Sequence, residues 1–386
     1  MDADVAIVGA GLAGAALAGA ARGLRIALVA DEAAVPAPGP QGFDSRVYAI
    51  TPGNAGFLAT LGAWRWLAPE RLTPVRAMRV FGDDSRSLLE FDAYRAGVGE
   101  LAWIVEDGAL QRVLRASLED TEQVRVLAPE RLERLEVAPD GARLQLRGGR
   151  TLHARLVVGA DGAQSVVREQ AGIGCDDTAY PQRAVVANFS CERAHRHTAY
   201  QWFQGGPVLA LLPLPGNHVS MVWSTREDEC ARLLALEPAE LCSSVAAASG
   251  HVLGELGLVT PPRAFPLRRL AARRTVAPRV ALVGDAAHVL HPLAGQGANL
   301  GLQDARALAE VLAGREPGRD PGDLRLLRRY ERARAGEVGA MDATVHGLYR
   351  LFGAQARPCA FLRNAGLNLT ERLPVIKNLL IRQAMA

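Results

Sequence analysis

Short apolar runs that end in glycine recur at wide intervals along the chain, and a longer helical periodicity fills most of the space between them. Val5-Ala6-Ile7-Val8 is the first such run and reads as a strand buried on both faces. An alanine-rich helix follows to about Arg22, and Arg25 to Val29 reads as a second strand, so the chain opens β-α-β. Residues 33–42 form a Pro/Gly loop, and helical patterns recur near 52–62 and 107–119. Residues 124–158 alternate short strand-like runs with turns such as Pro139-Asp140-Gly141, a meander pattern that ends in the strand Leu156-Val157-Val158. More strands are predicted at Val186–Phe189, Ala199–Phe203, Val208–Leu212 and Val219–Trp223. Val280–Val283 is a last buried strand, a long helix starts near Gly297, and the pattern beyond is mostly helical. No internal repeat is visible. The strands that suit one parallel sheet come from distant parts of the chain, with a β-rich segment between them. That order predicts an α/β nucleotide-type domain carrying an inserted second domain.

Composition narrows the function classes. The 386 residues are 49% hydrophobic and 22% charged, as in ordinary globular proteins. The length suits about two domains. A net charge of +3 argues against nucleic acid as the main partner. Lys377 is the only lysine, so no lysine upstream of it can act as a Schiff base, general base or phosphate clamp. Cys175, Cys191, Cys230, Cys242 and Cys359 contain no C-x-x-C pair, which fits a reducing compartment rather than a disulfide framework or zinc site. His288 and His291 stand three apart with no further ligand set, so no metal is expected. Met1-Asp2-Ala3-Asp4 has no basic n-region, so no signal peptide is expected, and no apolar stretch is long enough to span a bilayer.

Three glycine motifs carry the candidate chemistry. Gly9-Ala10-Gly11-Leu12-Ala13-Gly14 follows the first strand directly. Its glycines allow a tight turn and close approach of a pyrophosphate, and the helix N-terminus offers free N–H groups. The acid for the ribose hydroxyls should lie about 20 residues on, where Asp31 and Glu32 are both candidates. This motif alone fits NAD as well. The second motif is Gly159-Ala160-Asp161-Gly162 at another strand end. The third is Gly284-Asp285-Ala286-Ala287-His288, followed by His291-Pro292-Leu293-Ala294-Gly295-Gln296-Gly297-Ala298-Asn299-Leu300-Gly301-Leu302. Asp285 can accept a hydrogen bond from a ribityl hydroxyl. The Gly295–Gly297 turn aims a helix N-terminus at what lies beyond, favouring negative charge there, such as the N1–C2=O edge of a reduced flavin.

In this order and spacing the three motifs resemble the single-component flavin hydroxylases typified by para-hydroxybenzoate hydroxylase. Phe43-Asp44-Ser45-Arg46 and the His291–Leu302 run are similar to the ubiquinone-biosynthesis branch of that family. Trp103-Ile104-Val105-Glu106-Asp107 and Gln201-x-Phe203…Leu211-Leu212-Pro213-Leu214 match family segments as well, and the resemblance covers essentially the whole chain. One departure is Ala30, which stands opposite the family's usual acidic residue.

The resemblance implies an FAD-binding Rossmann-like domain of the glutathione-reductase type over residues 1–75, 100–180 and 270–325. It implies a β-sheet substrate domain over 76–99 and 181–269, and C-terminal helices over 326–386. Cofactor contacts fall on Gly9, Gly11, Leu12, Ala13, Gly14, Asp31 or Glu32, Arg46, Gln111, Asp161, Asp285, Pro292, Gly295, Gly297, Ala298 and Asn299, with Asp44 supporting the Arg46 loop. NAD(P)H would reduce FAD without a Rossmann domain of its own, which leaves NADH versus NADPH open. O2 would then supply an oxygen atom to the ring of a polyprenylated phenol, with the Pro292 carbonyl as a partner for the phenol. No general base is named.

Other readings remain beside this one. A hydroxylase of a soluble aromatic compound or a non-catalytic FAD-stabilised subunit of a biosynthetic assembly would share these motifs. A flavin halogenase needs a lysine that is missing, and Trp64-Arg65-Trp66 reads as a pair of packing residues. The tail after Val345 carries Arg350, Arg357, Arg363, Arg372, Lys377 and Arg382 against the single acid Glu371. It reads as a terminal helix packing on the core, or as a basic amphipathic surface docking on anionic lipid. The expected location is the cytoplasm, with peripheral contact at the inner membrane.

Overall fold

The computed structural model describes residues 1–32, 42–82, 87–119, 121–291 and 295–353. Most of the Pro/Gly loop, Pro292 and the basic tail beyond 353 therefore lie outside the described residues. The first third runs β1 (Ala3–Val8), α1 (Leu12–Ala20), β2 (Ile26–Val29), β3 (Val47–Ile50), α2 (Pro52–Thr60), β4 (Thr73–Val75), β5 (Ala77–Phe81), β6 (Leu88–Asp92), α3 (Ala93–Ala96), β7 (Ala102–Glu106) and α4 (Asp107–Glu119). The middle runs β8 (Val124–Leu127), β9 (Leu132–Ala138), β10 (Gly141–Leu146), β11 (Thr151–Gly159), α5 (Val166–Gln170), β12 (Cys175–Cys191), β13 (Thr198–Phe203), β14 (Val208–Leu214) and β15 (His218–Arg226). The chain then forms α6 (Glu227–Ala235), α7 (Pro238–Ala248), β16 (Leu256–Ala272), β17 (Val276–Ala277), β18 (Val280–Leu282), β19 (His288–Val289), α8 (Gly297–Ala313) and α9 (Leu324–Gly353).

Strands β18, β11, β1, β2 and β8 lie side by side and parallel, with β1 at the centre. Their apolar runs are unbroken because both faces are covered. One face (Val5, Ile7, Leu28, Val158, Val283) packs against α1, α2, α4, α8 and the start of α9. The other (Ala6, Val8, Val29, Val157, Leu282) packs against the β9–β10 ribbon and α5. So β8, expected to open the meander, joins the parallel sheet, and the antiparallel part is β9–β10–β11. Helix α4 turns its buried leucines Leu110, Leu114 and Leu118 inward at i, i+4 and i+8, the spacing of one helix face.

The second sheet has the order β19-β16-β12-β15-β14-β13-β5-β6. Its strands run beyond the expected segment boundaries, since β12 begins at Cys175, β16 reaches Ala272 and β19 adds His288–Val289. Alternation along β12 gives the sheet two apolar faces. Val185, Ala187 and Phe189 face α6 and α7. Leucines and valines of the other face meet the small sheet β3-β7-β4 at one end and α9 at the other. The two sheets are thus joined by the β3-β7-β4 unit and by one long helix. Trp64 packs edge-on against Trp103, but Trp66 is 64% exposed with Arg65 over its ring, so only the first of the two tryptophans is a packing residue. The short 3-10 turn that carries them is too brief to bury both side chains.

Candidate active site

The three glycine turns meet at the carboxyl ends of β1, β11 and β18, where ligands bind in open α/β sheets. Gly9 turns the chain at φ +104°, and a Cβ there would lie 2.2 Å from the Ala160 carbonyl oxygen. A Cβ on Gly14 would lie 1.9 Å from the Gly9 oxygen. Both glycines are therefore demanded by the packing of the turn itself. Gly11 differs, because its backbone (φ −69°, ψ −172°) suits any residue and a Cβ would meet nothing within 4 Å. The first backbone bond of α1 is Ala15 N–H to Gly11 O, so the N–H groups of Leu12, Ala13 and Gly14 precede the ladder. An exposed glycine beside free helix N–H groups is a cradle for an anion that approaches the backbone closely, as a pyrophosphate does.

The second turn is tied to the first by the Ala160 N–H, which donates to Val8 O at 2.8 Å. Asp161 accepts from the Ser165 hydroxyl at 2.5 Å and from the Val167 N–H at 3.1 Å, so its carboxylate builds its own turn and the start of α5. Burial pushes its pKa up against those bonds. Arg168 is buried and donates to Ala163 O and to Ala286 O, both at 2.8 Å, clamping the second turn to the third. In the third turn Gly284 stands at φ +61°, with Ala13 Cβ 3.2 Å and Gly301 Cα 3.8 Å from where its own Cβ would be. Asp285 is accessible to solvent, yet the surrounding protein desolvates its carboxylate and pushes its pKa up, with Arg46 opposing. That combination marks the floor of a cleft.

Arg46 comes to the same place from a different sheet. Its guanidinium lies 5.3 Å from the centroid of the Tyr48 ring. Loss of solvent opposes its charge, but Tyr48, Asp107 and Asp285 outweigh this and hold its pKa above the ordinary value. Asp107 accepts from the Tyr48 hydroxyl and, at 2.6 Å, from Gln111 Nε2, while its N–H donates to the Arg46 carbonyl. Burial pushes the Tyr48 phenol well up, so it stays protonated. Asp44 accepts from the Gly108 N–H at 2.7 Å, and its carbonyl accepts from Asn188 Nδ2 at 2.9 Å. The Arg46 segment is thus fastened to the start of α4 and to the second sheet. Neither Tyr48 nor Asp107 is among the expected cofactor contacts; for Asp107 the i, i+4 spacing to Gln111 on one helix is the available signal.

The N-terminus of α8 closes the arrangement. Gly295 stands at φ +61°, and the ladder starts with Leu300 N–H to Gln296 O, leaving the N–H groups of Gly297, Ala298 and Asn299 ahead of it. The Asn299 side chain has other work. It accepts from Thr51 N–H at 3.1 Å and Asn54 Nδ2 at 2.9 Å, and donates to Ala49 O at 2.7 Å. Only its backbone remains for a ligand. His291, next to Pro292, is buried against Tyr180 and Tyr349 and shares a 3.1 Å hydrogen bond with Gln182. Desolvation pushes its pKa down to about 4, so it is neutral.

The ribose acid stays divided between its two candidates. Ala30 is buried beyond the end of β2, Asp31 makes an exposed ion pair with Arg131 at 3.0 Å, and the Glu32 carbonyl accepts from Arg115 at 2.9 Å. Among the described residues no group of three His, Cys, Asp or Glu could hold a metal, and no helix is long and apolar enough to cross a membrane. A shallow cleft of about 740 Å³ between Pro139, Gln170, Arg279 and Asp323 contains none of the motif residues. Its Arg279 is spent on Pro139 O, Arg155 O and Asp320.

An anion cradle at one helix N-terminus, an accessible acid on a strand-end turn and a second helix N-terminus beyond it suit a long dinucleotide that ends in an electron-accepting ring. Residues 2–341 match the family described as FAD binding domain, and the chain belongs to that family as an FAD-dependent monooxygenase. Within it, the chain is 38% identical to the ubiquinone hydroxylase UbiL of Rhodospirillum rubrum, covering 99% of this chain and 89% of that relative. It is 35% identical to the 3-demethoxyubiquinol 3-hydroxylase of Escherichia coli, over 99% of this chain and 98% of that one. Among solved structures, PqsL of Pseudomonas aeruginosa, a probable FAD-dependent monooxygenase, superposes with a TM-score of 0.77 at 26% identity, over 95% of this chain and all of PqsL. HpxO of Klebsiella pneumoniae, solved with FAD and uric acid, shares the fold at a TM-score of 0.75 and 19% identity, over 98% of this chain and 97% of HpxO.

Proposed function

We propose that this enzyme hydroxylates the ring of a polyprenylated phenol in ubiquinone biosynthesis, with NAD(P)H as reductant and O2 as co-substrate. The observation that carries this reading is identity of 35–38% to two ubiquinone hydroxylases over nearly the whole chain. The reaction balances as ring C–H plus O2, NAD(P)H and a proton giving ring C–OH, water and NAD(P)+. FAD, when bound, would supply the redox and oxygen chemistry that the side chains themselves lack. The protein's part is to hold the cofactor and keep water from the reacting edge.

In this reading Gly11 and the N-terminus of α1 receive the pyrophosphate, and Asp285 accepts from a ribityl hydroxyl. The N-terminus of α8 would favour negative charge on the bound flavin ring. Arg46, braced by Tyr48 and Asp107, would supply positive charge to the same ring, and Gln111 would hold the cofactor from α4. The family resemblance would make the Pro292 carbonyl a partner for the substrate phenol. Peripheral contact with the inner membrane and membership of a ubiquinone-biosynthesis assembly belong to the same proposal, since the substrate is a lipid.

The test is lipid analysis of a strain lacking the gene. Accumulation of a quinone precursor that lacks one hydroxyl supports the proposal and identifies the ring position. Unchanged ubiquinone with no such precursor counts against it and favours a soluble aromatic substrate.

A further inference from the structure

Behind the third glycine turn lies a buried ionic group that touches none of the residues assigned to substrate. Asp304 on α8, His288 on β19 and Arg334 on α9 are all buried. One oxygen of Asp304 accepts from the Gly284 N–H at 3.0 Å and pairs with His288 Nε2 at 2.6 Å. The other accepts from Arg334 Nε at 2.7 Å. Arg334 also donates to Gln303 at 3.1 Å and pairs with Glu337 on its own helix. One turn earlier on α9, the Tyr330 hydroxyl donates to Leu282 O at 2.8 Å, at the end of the strand that leads into the turn. Helix α9 therefore holds the Leu282 carbonyl directly, through Tyr330, and the Gly284 N–H indirectly, through the Arg334–Asp304 pair, on either side of Val283. The far half of the same helix lies on the second sheet, where Asp342 pairs with Arg269 and Val345 packs with Val80, Phe203 and Val208.

A buried carboxylate held by an arginine and a histidine keeps its place only while both partners remain, because a buried charge that loses a partner must move or be neutralised. Asp304 is also the group that fixes the Gly284 N–H. We propose that Asp304 and Arg334 are positioning residues that couple docking of the inner half of α9 to FAD binding. The seat of the Gly284–Asp285 turn depends on α9, and cofactor held at that turn in return holds α9 down. Coupling of this kind is reciprocal by thermodynamic necessity. Loss of FAD would then loosen the helix that covers part of the second sheet. The inference rests on the reading of Asp285 as a ribityl contact.

The experiment measures the FAD dissociation constant of Arg334→Met, Arg334→Lys and Asp342→Asn proteins, together with hydrogen exchange of the wild type with and without FAD. Arg334→Met should weaken FAD about tenfold, Arg334→Lys should recover most of that, and Asp342→Asn should stay within about twofold of wild type. FAD should slow exchange across residues 324–340 of the wild type, a readout that needs no variant to fold. An Arg334→Met value within about twofold of wild type overturns the coupling. Equal weakening by Asp342→Asn also overturns it, since that outcome marks a general loss of stability. Exchange at 324–340 indifferent to FAD overturns it as well. An Asp285→Ala protein that binds FAD like wild type overturns the reading of Asp285, and the coupling with it.

Discussion

Replacing Gly11 by alanine separates what the fold needs from what the cofactor needs. The backbone at Gly11 is in an ordinary extended conformation, and an added Cβ meets nothing within 4 Å. Alanine is the poorer N-cap, which costs up to about 1 kcal/mol. The stiffer unfolded chain returns about 0.4–1 kcal/mol. The stability of the FAD-free protein should therefore change by no more than about 1 kcal/mol in either direction. Binding should respond differently if the pyrophosphate sits as proposed, because the methyl group would then occupy the space through which it reaches the helix N–H groups. Overpacking of a fitted contact costs about 1–3 kcal/mol, which corresponds to about a 5- to 150-fold rise in Kd. Quenching of flavin fluorescence on titration gives Kd, and circular dichroism melting of the FAD-free protein gives stability. Gly14→Ala is the contrast: its Cβ would lie 1.9 Å from the Gly9 oxygen, so it should damage the FAD-free fold itself. A Gly11→Ala protein that binds FAD as tightly as wild type would refute the assignment of this glycine to the cofactor.

Three further outcomes follow from the geometry. Asn299→Ala strands the Thr51 N–H and the Ala49 carbonyl; it should lower stability by about 2–4 kcal/mol in a urea titration, and an unchanged midpoint would show that α8 is not welded to β3 through this side chain. Tyr330→Phe removes a buried hydrogen bond to Leu282 O and should cost about 1–2 kcal/mol by the same assay. His291, with its pKa pushed from 6.5 down to about 4, is neutral when folded and takes up a proton on unfolding at lower pH. Its contribution is complete above pH 6.5 and is lost as pH falls toward 4, a drop of about 3 kcal/mol over that window. A His291→Phe variant should flatten that part of the stability profile, and a profile as steep as that of wild type would contradict the assignment.

The parallel sheet was legible because its strands are buried on both faces, so Val5–Val8, Leu156–Val158 and Val280–Val283 read as unbroken apolar runs. The glycine turns were legible for a related reason: Gly9, Gly14 and Gly284 sit where a side chain would collide with backbone or with a tightly packed neighbour. Sequence order says less about partners. Tyr48 reaches Asp107 only because β3 pairs antiparallel with β7, setting Tyr48 opposite Val105. Asn299 finds Ala49 across 250 positions, and Arg334 finds Asp304 across 30, distances over which periodicity carries no information. Trp66 illustrates the opposite limit, an aromatic residue that looks like core and stands in solvent. Asp161 is expected at the cofactor from its motif, and its carboxylate accepts within its own turn, from Ser165 and the Val167 N–H.

The most direct test of the account is turnover with isotopically labelled O2, reduced nicotinamide and a short-chain prenylphenol, set against a panel of soluble phenols. The account predicts substrate-dependent NADH or NADPH oxidation, with one labelled oxygen atom entering the ring for each prenylphenol hydroxylated. FAD that is bound but not reduced by either nucleotide, or label that enters only the soluble phenols, would contradict it.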